Sequence, residues 1–150
     1  QKAGISGLII PDLPYEEGEE VLNLADAAGV RLIPLVAPTS SGRIARILER
    51  ARGFVYCVSS LGVTGERSSF HASVDEFISS VKAQTDLPVA VGFGISSREQ
   101  VERFAAICDG AVVGSAIVRK IEENLPLLSH ASTRDQGLLQ IRDFVAKLRL

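Results

Sequence analysis

Five short apolar runs rich in branched residues punctuate the chain at near-regular intervals, and they limit its fold more than any other feature. They are Leu8-Ile9-Ile10, Leu32-Ile33-Pro34-Leu35-Val36, Phe54-Val55-Tyr56-Cys57-Val58, Val89-Ala90-Val91 and Ala111-Val112-Val113. None alternates apolar with polar residues, which is the pattern of strands buried on both faces of a parallel sheet. Parallel neighbours need crossover connections, and the intervening segments have helical spacing. Val21, Leu22, Leu24, Ala25 and Ala28 line one face of the first helix, and Ile44, Ile47, Leu48 and Ala51 line one face of the second. Capping boxes at Ser73-Val74-Asp75-Glu76 and Ser96-Ser97-Arg98-Glu99 predict two more. A last helix over residues 135–148 carries Leu138, Leu139, Ile141, Phe144, Val145 and Leu148. Strand and helix thus alternate throughout, as in the α/β class.

The intervals between Leu8, Leu32, Phe54, Val89 and Ala111 are 24, 22, 35 and 22 residues, so one βα unit repeats and one copy is enlarged. The extra residues, 59–69, follow the third strand at its C-terminal end, where long loops are usually functional lids, a plain solvated connection being the alternative. Five strands do not close a barrel of eight, which takes about 250 residues. Because residues 3–7 lead straight into a strand with no helix before it, the expected architecture is a portion of one (β/α)8 barrel domain over residues 1–150.

Charge and cysteine usage narrow the function. Sixteen basic and eighteen acidic residues give a net charge of −2, with neither sign gathered into a run that would track nucleic acid or an anionic membrane. A small-molecule substrate is the expectation. No stretch approaches the ~20 apolar residues of a bilayer span, and the opening residues lack the form of a signal peptide, so the expected location is cytoplasmic. Cys57 and Cys108 sit among apolar residues and read as buried free thiols. His71 and His130 have no partners at ligand spacing, so no metal site is expected.

Two glycine turns carry the chemical signal. In Val91-Gly92-Phe93-Gly94-Ile95-Ser96 a strand runs into a Gly-x-Gly turn and a capped helix, and in Val112-Val113-Gly114-Ser115-Ala116-Ile117 another passes through Gly-Ser into a short helix. Such turns after the last two strands are how barrels hold a phosphate. Nothing basic lies in either turn, so amides, the Ser115 hydroxyl and the helix dipole would hold the anion. Phe93 and Tyr56 offer an aromatic ligand two flanking rings, or they pack in the core. Asp12, between Pro11 and Leu13-Pro14 at the end of the first strand, is placed to act as acid, base, partner contact or helix cap.

Pro11-Asp12-Leu13-Pro14-Tyr15-Glu16-Glu17, Leu32-Ile33-Pro34-Leu35-Val36-Ala37-Pro38-Thr39, Gly62-Val63-Thr64-Gly65, Gly92-Phe93-Gly94-Ile95-Ser96-Ser97 and Gly114-Ser115-Ala116-Ile117-Val118 together resemble, in order, the signatures of the tryptophan synthase α subunit. The resemblance implies the C-terminal portion of a TIM barrel, its fourth to eighth βα units. It also implies retro-aldol cleavage of indole-3-glycerol phosphate to indole and glyceraldehyde 3-phosphate, with no cofactor bound by α itself and indole passed to a partner β subunit. Carried over by motif, Gly65, Gly92, Gly94, Gly114 and Ser115 would form the phosphate site, and Tyr56 and Phe93 would flank the indole. Thr64 would lie on the closing loop, and Asp12 and Pro14 in the α–β contact. Ser6 departs from the family, which often has aspartate there. The carboxylates that the family uses as acid and base match nothing in these 150 residues, so no catalytic residue is assigned and the chain by itself is expected to be inactive. The alternatives are a non-catalytic module that binds phosphate or docks on a β subunit, and another barrel acting on sugar phosphates.

Overall fold

The computed structural model describes residues 2–11, 13–14, 17–40, 42–58, 72–92 and 94–150. Its elements follow the repeat: β1 (Gly7–Ile9), α1 (Gly18–Ala27), β2 (Arg31–Ile33), β3 (Leu35–Val36), a 3-10 turn (Pro38–Ser40), α2 (Ile44–Glu49), β4 (Val55–Val58) and α3 (Ala72–Lys82). Then come β5 (Val89–Gly92), α4 (Arg98–Ala105), β6 (Gly110–Ala111), α5 (Ser115–Glu123), α6 (Leu125–Leu128) and α7 (Arg134–Leu148). All pairings are parallel, in the order β1-β2 and β3-β4-β5-β6. Within each sheet every strand therefore lies beside the next one in sequence, with no reversal of order. That is the progression of barrel staves and differs from a doubly wound sheet, whose strand order reverses at a switch point.

Local chemistry sets the boundaries. Helix α1 ends in a Schellman motif: Gly29, at φ 66°, donates to the Asp26 carbonyl at 3.0 Å and Val30 donates to Ala25 at 2.8 Å. The single strand predicted over Leu32-Ile33-Pro34-Leu35-Val36 is instead two, because Pro34 has no N–H to give the ladder. Its carbonyl still accepts from the Tyr56 amide at 3.0 Å, which keeps the neighbouring strand in step. Pro126 likewise breaks the α5–α6 path, and buried Asn124 closes the junction by donating from Nδ2 to the Lys120 carbonyl at 2.8 Å. The short helix α6 has no counterpart in the sequence reading.

The core lies between the strands and the helical layer. Val55, Cys57, Val89 and Val91 face Ile78, Val81, Val101 and Phe104, and Phe104 is fully buried. Burying a side chain of that size stabilises by about 1.5–3 kcal/mol. Cys57 and Cys108 are buried free thiols, as predicted. No helix among the described residues is long and apolar enough to cross a membrane.

Several expectations are corrected. Burial on both strand faces fails: β4 alternates buried with half-buried residues, and β1 is exposed along its length, with Leu8 at 39% and Ile9 at 44%. One strand face meets the helices, and no second layer among the described residues covers the other. Leu24 faces solvent at 65% exposure, since it is turned about 100° from the inward Ala25. Leu138 and Leu139 of α7 are exposed as well. Helix α3 begins at Ala72, which puts Ser73 inside it rather than at its cap. The second capping box is Ser97 with Gln100, one residue later than predicted.

At the opposite end of the sheet, Asp109 accepts from Lys82 Nζ and from the Val89 amide at 2.7 Å, pinning α3 and β5 to the start of β6. The Lys82 hydrogen bond, then the Val89 amide, hold its carboxyl below the ordinary carboxylate range. A depressed folded value means the stabilisation is present above the unfolded value of 3.8 and is lost as pH falls through the folded one. Asp109→Asn keeps an acceptor for Val89 but loses the charge. At pH 7 it should cost up to about 1 kcal/mol, because the pair is partly exposed. Melting curves of variant and parent should converge as pH falls below the ordinary carboxylate range; a gap that widens on acidification would contradict this sign.

Candidate functional site

The register places the C-terminal ends of β4, β5 and β6 side by side. Val58 pairs with Gly92, Val91 pairs with Ala111, and the Val112 amide extends the ladder to the Val91 carbonyl at 2.8 Å. The turns through Gly94 and Gly114 therefore open on one rim, as the motif spacing predicts. Gly94 has φ 91°, a backbone conformation that side-chain-bearing residues adopt at a cost.

The two turns are not equivalent. Behind Gly94, the α4 terminus is closed by its own side chains. Ser97 Oγ accepts from the Gln100 amide at 3.3 Å, while Gln100 Oε1 accepts from the Ser96 and Ser97 amides at 2.7 and 3.2 Å. Those donors are already satisfied. Helix α5 is capped by Gly114, with no side-chain cap, and a Cβ built there meets nothing within 4 Å. The first amides of a helix lack intrahelical acceptors, and the macrodipole adds positive potential at this end. Of the two termini, that of α5 is the more open to a ligand. The Ser-x-x-Gln pattern that closes α4 is readable in the sequence one residue past the box chosen there.

Tyr56 stands on the less covered face of β4 against Gly92. A Cβ on Gly92 would lie 2.6 Å from the ring's Cζ, so the strand end must be glycine for the ring to rest there. Burial pushes the Tyr56 phenol above its usual 10.0, leaving a neutral ring and a hydroxyl donor at physiological pH. This contact joins two residues singled out in the sequence for different roles. On the opposite strand face, burial pushes the Cys57 thiol up to about 12, with Cys108 adding to the effect, and burial raises Cys108 as well. Neither is poised as a thiolate nucleophile. Among the described residues no group of three or more His, Cys, Asp or Glu could hold a metal ion.

Pro14 is exposed after β1, and its carbonyl accepts from the Glu17 amide at 3.1 Å. Asp12, Thr64, Gly65 and Phe93 lie outside the described residues, as does the whole enlarged loop.

Comparison with known proteins is consistent along the chain. The profile of the family described as tryptophan synthase alpha chain matches residues 1–147. The tryptophan synthase alpha chain of Bacillus subtilis subsp. natto is 54% identical over 144 residues, covering 96% of this chain and 54% of the relative. That of Shouchella clausii is 50% identical over 145 residues, covering 97% and 54%. Among solved structures, tryptophan synthase from Mycobacterium tuberculosis superposes with TM-score 0.80 at 38% identity, over 98% of this chain and 51% of the other. The α2β2 complex from Pyrococcus furiosus does so with TM-score 0.78 at 30% identity, over 98% and 56%. The chain spans about half the length of the relatives it matches.

Proposed function

The chain belongs to the tryptophan synthase alpha chain family, and on that premise we propose that its protein cleaves indole-3-glycerol phosphate to indole and glyceraldehyde 3-phosphate. The observation that supports this reading is the α5 terminus without a side-chain cap, on the same rim as the Tyr56–Gly92 contact, an arrangement that would seat a phosphate next to an aromatic wall. In this assignment Gly94, Gly114 and Ser115 donate to the phosphate and Gly92 shapes the strand end. Gly65 and Thr64 contribute from the enlarged loop, and Tyr56 and Phe93 flank the indole. The seat holds the substrate by its non-reacting end and so orients the bond to be broken. Protonation at indole C3 and removal of a proton from the glycerol side chain need two positioned groups, and they come from residues outside these 150. The chain contributes binding and orientation as part of one barrel domain, without a cofactor of its own. Asp12 and Pro14 are assigned to contact with a β subunit, and the cytoplasm is the proposed location.

A chimaera tests this reading. The present chain would replace the matched segment of the Bacillus subtilis relative, and release of indole from indole-3-glycerol phosphate would be followed. Turnover within about tenfold of the parent is expected. A chimaera that folds, binds glycerol 3-phosphate and releases no indole would leave only a phosphate-binding module.

A further inference from the structure

On the β1–β3 side of the fold, away from the α5 terminus, a cavity of about 150 Å³ lies between the strands and helices α1 and α2. Leu22, Leu32, Leu35 and Ile47 wall it, and Leu13 closes it from the segment after β1. A space of about this size accepts one benzene-sized ring. Among the described residues its lining also includes the charged side chain of Arg50. Among the described residues the guanidinium of Arg50 makes one ion pair, to Glu19 Oε1 at 3.7 Å, which is too long for a hydrogen bond. Glu19 is 71% exposed and can turn to solvent. An incoming carboxylate would meet the planar fork that guanidinium offers to such groups.

We propose that this cavity is a binding site for a small aromatic carboxylate, with the ring between α1, α2 and the strands and the carboxylate on Arg50. The inference stands independently of the proposed catalytic function.

Gly18, at the start of α1, supplies a test that leaves the fold intact. It lines the cavity, and a Cβ added there would meet Leu13 Cδ2 at 3.8 Å, an ordinary contact. Gly18→Leu therefore sends its side chain into the space the ring would occupy, and it favours the helix. Benzoate, benzyl alcohol and benzylamine would be titrated into the protein and followed by NMR shifts of residues 18–51. Benzoate should saturate in the low millimolar range, with benzylamine at least tenfold weaker. Gly18→Leu should melt no lower than the parent and bind benzoate at least tenfold more weakly. Arg50→Gln should retain benzyl alcohol binding and lose the preference for benzoate over it. Benzylamine binding as tightly as benzoate, an unchanged affinity in Gly18→Leu, or no saturation of benzoate by about 10 mM would each overturn the proposal.

Discussion

Gly114→Val should weaken glycerol 3-phosphate binding by more than 100-fold while leaving the fold in place. The position permits both outcomes. A Cβ there meets nothing within 4 Å and the residue's φ of −119° lies outside the left-handed region, so no neighbour must move. The open space is where an anion would approach the Gly114 and Ser115 amides, and the two valine methyls would fill it. A hydrogen bond to a charged group contributes about 1.5–3 kcal/mol, so loss of two exceeds the ~2.8 kcal/mol of a hundredfold change. Valine is a poor N-cap, so stability should fall by about 0.5–1 kcal/mol, or roughly 1–4 °C. Calorimetric titration and melting of the chimaera check both numbers. Gln100→Ala is the contrasting control: it opens the α4 cap and destabilises that helix, yet should leave phosphate affinity within about threefold. Equal losses of affinity in the two variants would mean that both helix termini share the anion, and an unchanged affinity in Gly114→Val would remove it from α5.

The inequality of the two turns marks the limit of what the sequence makes legible. Gly-x-Gly and Gly-Ser at successive strand ends announce a ligand rim because the glycines are adjacent in sequence to apolar runs. Which terminus is open depends on side chains one turn into each helix, and Ser97 with Gln100 encodes that in a pattern that is readable once the box is placed at the right residue. Helix faces were legible where the periodicity was strong, as in Ile44, Leu48 and Ala51, all of which are buried. Leu24 was misplaced because it is a sequence neighbour of Ala25, and counting apolar residues does not say which of two adjacent ones points inward. The two-sided burial of the strands was misjudged for a different reason. Apolar runs are suited to burial on both faces, but the described residues supply a layer for only one of them. The interlayer cavity was invisible altogether, since it depends on how closely α1 and α2 approach the strands.

The contact between Tyr56 and Gly92 was also hidden, because residues 36 positions apart meet only through the β4–β5 register, which pairs Tyr56 with Ala90 and Val58 with Gly92. It yields the second large effect. Gly92→Val would place its Cβ inside the ring's present volume, and overpacking of this kind costs about 1–3 kcal/mol when the neighbours cannot relax fully. The ring must swing off the strand end, toward the space assigned to the indole. Indole release in the chimaera should then fall at least 100-fold, with glycerol 3-phosphate affinity changed by less than about threefold because the α5 amides are untouched. Tyr56→Ala in the same chain removes the obstructing ring. It should recover part of the stability lost to Gly92→Val, giving a coupling of about 0.5–3 kcal/mol of the compensating sign. Denaturant unfolding of the parent, the two single variants and the double variant measures that coupling. Strictly additive losses would show that the ring and the strand end do not press on one another in solution. A matching fall in phosphate affinity would show that Gly92→Val distorts the whole rim, and the separate roles given to Tyr56 and Gly114 would then fail together.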